Sequence, residues 1–152
     1  MAVIFQALSG EDLAHARELF DEYARAVDEP RCFVNFEKEL AALPGAYAPP
    51  AGRLYLARSE GGPAGCAALR RLDAARGEMK RLYVRPAFRG RGLGRTLADA
   101  VIAAAREQRY ARLMLDTLPG MREAIALYRT LGFRDTAPYS STPDAICLEL
   151  VL

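Results

Sequence analysis

One histidine and three scattered cysteines are the whole imidazole and thiol complement of this 152-residue chain. The histidine, His15, stands among polar neighbours on an expected helix, and nothing at ligand spacing accompanies it, so no metal centre is expected. Cys32, Cys66 and Cys147 are odd in number and far apart, and two of them sit in apolar surroundings. They read as reduced thiols of a cytoplasmic protein, not as a disulfide framework. No apolar run of about 18 residues occurs, which argues against a transmembrane helix. The opening Met1 to Gln6 has neither a basic region nor a long apolar core, so no signal peptide is expected. There is no Gly-Lys-Ser/Thr, which removes a lysine-bearing phosphate loop, and no Gly-x-Ser-x-Gly nucleophile elbow. No repeat, low-complexity tract or linker divides the sequence, and one domain over residues 1–152 with a real hydrophobic core is expected.

Charge is scarce in total and concentrated in place. The net is +2, yet residues 70–95 carry nine basic side chains (70, 71, 76, 80, 81, 85, 89, 91 and 95) against only Asp73 and Glu78. The bland reading is a solvated arginine face. A local basic patch on a near-neutral chain otherwise suits a small polyanion. A nucleic acid would ask for a broader basic surface, and no membrane partner is indicated.

Periodicity sets out the elements. Val3 to Ala7 reads as a strand. Ser9 with Asp12 resembles a capping box opening a helix over 11–27, with Leu13, Ala16, Leu19, Phe20, Tyr23 and Val27 as its core stripe. Asn35 can cap a short helix from Phe36 to Leu43, ended by Pro44-Gly45, and a loop follows to Gly52. Strands at 53–58, 64–72 and 77–84 are close enough to form an antiparallel meander. The middle one, Ala64-Gly65-Cys66-Ala67-Ala68, is built of small residues that permit close packing on it. A helix over 92–108 buries Leu93, Leu97, Ala100, Val101 and Ala104. The apolar strand 113–117 follows, so a parallel crossover from 77–84 is expected. A helix at 121–131 carries Tyr128 on its apolar face, Gly132 ends it, Phe133-Arg134 starts a strand, and Ala145 to Val151 is the last one.

The chemistry concentrates between Glu78 and Arg95. A strand closes at Val84, Pro86 stops pairing because it has no N–H, and three glycines at alternate positions, 90, 92 and 94, lead into the 92–108 helix. A glycine turn at a helix N-terminus is an anion site, because free N–H groups and the macrodipole both favour negative charge there. A dinucleotide fingerprint does not fit: the third glycine would fall at position 97, which is Leu, and too little chain remains for a doubly wound sheet. Arg89-x-x-Gly92-x-Gly94 resembles instead the acyl-CoA pyrophosphate motif of the GCN5-related N-acetyltransferases (GNAT superfamily). The segment from Ala126 to Phe133, with Tyr128 and Gly132-Phe133, resembles that family's Tyr-x-x-x-Gly-Phe signature. Glu78, six positions before Val84, matches the acidic residue on the family's preceding strand.

The resemblance implies an α/β GNAT fold: a mixed, mostly antiparallel sheet of six or seven strands with about four helices. It implies acetyl-CoA as co-substrate, with no metal, and direct transfer to an amine in a ternary complex. The pyrophosphate would lie on Arg89, Gly90, Arg91, Gly92, Leu93, Gly94 and Arg95, and the pantetheine would pair with Leu82, Tyr83 and Val84 as an added strand. Tyr128 is the candidate acid for the leaving thiolate, and Glu78, near the end of a half-buried strand, the candidate base, directly or through a water. Bulk water as the base is the alternative, and Asp116 is a further carboxylate for the acceptor's ammonium. Phe33, Phe36 and Tyr47 from 28–52 and Tyr139 from 136–144 are expected to roof the acceptor site, where aromatic rings and scattered acids suit a small cationic amine. A protein or peptide acceptor, and a non-catalytic acyl-CoA-binding module, are the alternative functions. Related folds pair as homodimers, but no stretch of this sequence marks an interface.

Overall fold

Alternating apolar residues and helical stripes resolve, in a computed structural model describing residues 2–152, into seven strands and four α-helices. In chain order these are β1 (Val3–Gln6), α1 (Gly10–Val27), α2 (Phe36–Ala42), β2 (Arg53–Ser59), β3 (Gly62–Arg71), β4 (Arg76–Val84), α3 (Leu93–Glu107), β5 (Arg112–Thr117), α4 (Arg122–Thr130), β6 (Arg134–Asp135) and β7 (Ile146–Val151). Short 3-10 turns at Pro30–Cys32, Gly45–Tyr47 and Pro86–Phe88 fill the connections. The sheet order is β1-β2-β3-β4-β5-β7-β6, and every pairing is antiparallel except the β4–β5 crossover.

Each face of the sheet has its own core. On one, Leu97 and Val101 of α3 pack with Leu69, Leu113 and Leu148. On the other, Leu19 and Phe20 of α1 pack with Leu54, Leu56 and Cys66. Fully buried side chains of this size contribute about 1.5–3 kcal/mol each, so α1 and α3 are held by packing. The small residues of β3 permit both approaches. A Cβ on Gly65 would lie 2.6 Å from the Tyr83 carbonyl oxygen, so this position takes no side chain.

Two local expectations change. Ser9 does precede α1, but neither its side chain nor that of Asp12 makes a capping bond, and only the Ser9 carbonyl accepts, from the Asp12 N–H at 3.1 Å. Aspartate is one methylene shorter than the glutamate such a box uses. Asn35 likewise opens α2 through its backbone: φ is +59° and its carbonyl accepts from Lys38 and Glu39, each at 3.1 Å. No helix among the described residues is long and apolar enough to cross a membrane.

Two irregularities in β4 position the site. Pairing with β3 shifts by one residue between Cys66 and Ala68, and Arg81 takes φ +60°. This bulge turns both Lys80 and Arg81 toward the α1–α2 side, where a regular strand would alternate them. Pairing with β5 is short: Arg76, Gly77 and Glu78 meet Arg112, Leu113 and Met114, and beyond them the strands part.

Candidate active site

The glycine turn leaves its backbone donors free. Gly90 and Gly92 have φ of +79° and +77°, a conformation that costs residues with a Cβ about 1–2 kcal/mol. Among the described residues, the N–H groups from Gly90 through Arg95 find no acceptor within the chain. Consecutive free donors at the start of a 15-residue helix make a strong anion cradle. The arginines are less free than the sequence suggests. Arg89 donates Nε–H to the Val84 carbonyl at 2.9 Å and lies over the Tyr83 ring, Arg91 lies over Phe88, and Arg95 donates to the Thr130 hydroxyl at 3.3 Å. These contacts brace the turn. Leu93 is buried under α3, and Gly94 faces Leu127 of α4 at ordinary contact distance.

Where β4 and β5 part, a narrow pocket of about 50 Å³ opens through the sheet. Leu82, Leu115, Met121 and Tyr128 line it toward α4, and Tyr23, Cys32 and Phe33 line it toward α1. On its β4 side, Tyr83 and Val84 pair with β3, Leu82 lies in the bulge, and none of the three faces a strand across the gap. Tyr128 is buried, edge-on to Phe133 with ring centroids 5.9 Å apart. Among the described residues its hydroxyl has no hydrogen-bond partner. Burial pushes its phenol well above the ordinary tyrosine range, and nearby negative charge adds to this, so it stays protonated. Tyr23, expected in the core stripe of α1, is only half-buried and lines this pocket, and burial pushes it up to about 12.

A wider cleft of about 390 Å³ joins the pocket on the α1–α2 side, and Cys32, Lys80, Arg81, Asp116 and Thr142 border both. Glu78 and Asp116 project into the cleft from neighbouring strands, since Glu78 pairs with Met114 and Asp116 lies two residues further on the same face. Glu78 departs from its expected strand-end position. It is third in β4, 1% exposed, and accepts from Arg70 Nε–H and from the Tyr139 hydroxyl, each at 2.6 Å. Burial, and then the Glu78 carboxylate, hold the Tyr139 phenol far above its usual range. Asp116 is half-buried and accepts from the Ser140 hydroxyl at 2.7 Å.

The roof comes from both expected segments. Tyr47, Tyr139 and Glu39 line the cleft, and Phe33 lines the narrow pocket. Phe36 packs on Phe33 and, with it, flanks the Arg81 guanidinium at 5.3 and 4.7 Å. Arg81 is buried and donates two bonds of 2.9 Å to Glu39 of α2, clamping the roof to the bulge. Nothing in the sequence marks this clamp, the Arg70–Glu78–Tyr139 arrangement or Lys80 in the cleft. The first two join residues 42 and 61 positions apart, and the last follows once the sheet is assembled, because Lys80 shares the strand face of Glu78. The cleft is also not acidic. Arg31, Arg70, Lys80 and Arg81 face Glu39, Glu78 and Asp116.

Residues 13–133 match the family model described as acetyltransferase (GNAT) family. The chain is 38% identical over 135 residues to an uncharacterized N-acetyltransferase of Schizosaccharomyces pombe, covering 88% of this chain and 83% of that protein. A crystal structure of an acetyltransferase from Streptococcus agalactiae superposes with a TM-score of 0.83 at 19% identity, covering 99% of this chain and 98% of that one. A GNAT family acetyltransferase from Elizabethkingia anophelis, solved with acetyl-CoA bound, superposes with a TM-score of 0.68 at 21% identity, covering 99% and 98%.

Proposed function

The chain belongs to the GNAT family of acetyltransferases, and on that premise we propose that it moves the acetyl group of acetyl-CoA directly onto a primary amine of a small molecule. The observation that carries this reading is the parting of β4 from β5, with the free N–H groups of the glycine turn at one end and a side-chain-lined cleft at the other. A pyrophosphate on Gly90 to Arg95 would send the pantetheine along Leu82 to Val84, hydrogen bonding as a strand would. Its thioester would then reach the pocket beside Tyr128, with the acceptor entering from the cleft. The modest volume of that cleft, about 390 Å³ and bordered by Tyr47 and Tyr139, favours a small acceptor over a protein chain.

The amine attacks the thioester carbonyl carbon, the carbonyl electrons move onto oxygen, and the tetrahedral intermediate collapses with cleavage of the C–S bond. The departing thiolate takes the Tyr128 hydroxyl proton. Its hydroxyl on the wall of a narrow pocket supports that role, since a phenol with no other partner is available to the sulfur. Asp116 would hold the acceptor's ammonium. Glu78 would take its proton, through a water, once Tyr139 releases the carboxylate. The two short bonds that occupy Glu78 favour a second reading for this step alone, in which bulk water takes the proton.

The test is release of CoA from acetyl-CoA against a panel of amines, amino acids, polyamines and peptides, with acetyl-CoA binding followed by thermal shift. Release with small amines supports the proposal. Binding of acetyl-CoA with no acceptor in the panel turned over would leave a binding module, and stabilisation by NAD but not by CoA would remove the donor assignment.

A further inference from the structure

We propose that the acceptor carries a carboxylate a few atoms from its amine, an α-amino acid or a close relative, and that Lys80 binds that carboxylate. The inference rests on the transfer reading above and concerns which amine is taken. Three of the cleft's four cations already have partners: Arg70 is bound to Glu78, Arg81 to Glu39, and Arg31 to Glu29 just outside the cleft. Lys80 has no carboxylate within ion-pair distance among the described residues, although it is half-buried. Half-burying an ammonium without a counter-charge is unfavourable, and an anion arriving there would relieve it. Of the three acids, Glu39 and Glu78 are paired, and Asp116 has only the Ser140 hydroxyl.

The cleft thus keeps one cation and one anion uncommitted, and both border its junction with the narrow pocket where the thioester would lie. An ammonium against Asp116 puts the nucleophile beside that junction. A carboxylate against Lys80 must then be close to it, because the two side chains leave neighbouring strands at the same mouth. A polyamine or a simple alkylamine would leave Lys80 unmatched. Lys80 follows Glu78 on the cleft face by ordinary strand alternation, and the bulge adds Arg81 to that side, where Glu39 neutralises it and leaves Lys80 as the uncommitted cation.

The experiment compares kcat/KM for matched acceptors: each of several amino acids, its carboxamide and its decarboxylated amine. The expected result is a preference of tenfold or more for the free amino acid over both partners, the tenfold that corresponds to about 1.4 kcal/mol. In Lys80→Gln that preference should collapse toward unity through a raised KM for the amino acid, and Lys80→Arg should restore part of it. The KM for acetyl-CoA in each variant reports an intact donor site. Turnover of the decarboxylated amines as well as or better than the amino acids overturns this inference and leaves amine acetylation standing. An undiminished preference in Lys80→Gln overturns the assignment of Lys80. No turnover of any amine in the panel overturns both readings.

Discussion

Tyr128→Phe should leave stability nearly unchanged and cut activity sharply. Among the described residues the Tyr128 hydroxyl has no partner and opens into the narrow pocket, while the ring is buried and held by its edge-on packing with Phe133. A polar group fully buried and unpaired would cost about 1–3 kcal/mol. Phenylalanine keeps the ring, and a hydroxyl that reaches the pocket carries little of that cost. The change should therefore stay below about 1 kcal/mol, or roughly 2–4 °C in Tm for a chain of this length. Loss of a general acid slows a reaction by about 10²–10⁴-fold, equivalent to about 3–5 kcal/mol in the barrier. The assays are thermal melting without ligand and CoA release with the best acceptor found, at saturating acetyl-CoA. A kcat within twofold of the parent refutes the acid. A larger drop in Tm refutes the unpartnered hydroxyl, since it would mean that the group holds a bond within the fold.

Gly92→Ala and Gly94→Ala should move stability in opposite directions. The first forces a Cβ into φ +77° and should lose about 1–2 kcal/mol, whereas the second adds a methyl at ordinary distance from Leu127 and should gain up to about 1 kcal/mol, both read by urea denaturation. Both should shrink the thermal shift given by CoA, since each adds a Cβ among the free N–H groups. Glu39→Ala strands the buried Arg81 guanidinium and should lose about 3 kcal/mol, the low end for a buried pair because Glu39 itself reaches solvent; a loss below about 1 kcal/mol would discount the clamp. Alkaline pH should unfold the chain. Burial raises Cys66 from 9.0 and Tyr23, Tyr47, Tyr128 and Tyr139 from 10.0, so their neutral forms contribute stability that is whole below those ordinary values and is lost as pH rises past them toward the folded ones. Absorbance at the tyrosinate band should show at most three of the seven tyrosines titrating before the melt.

What could be read from the sequence was local. The glycine turn, the α3 stripe and the Tyr128 helix each lie within about 20 residues, where spacing alone decides the outcome. The parallel crossover followed because a helix separates the two strands. Glu78 was legible as a carboxylate worth naming, but not as a buried one, since Arg70 and Tyr139 reach it across the sheet and from the far end of the chain. The bulge at Arg81 was invisible for a different reason. A one-residue slip has no compositional mark when the residues on both sides are basic, and it put Arg81 on the side of Lys80 and Glu78 where regular alternation would have sent it to the other. The acceptor cleft was therefore expected to favour a cation, whereas its uncommitted charges are one of each sign.

The parting of β4 and β5 also has a mechanical side. Two partial sheets, β1 to β4 and β5 to β7, share a seam of three residue pairs. Rotation about that seam would open or narrow the gap without breaking another strand pairing, opposed by the α3 layer packed beneath both halves and by the Tyr139–Glu78 bond that crosses it. A donor laid against Leu82 to Val84 would work as a strut, completing the sheet and setting the distance between the two halves before an acceptor arrives. Donor first and acceptor second would follow from the architecture, with no separate gate required.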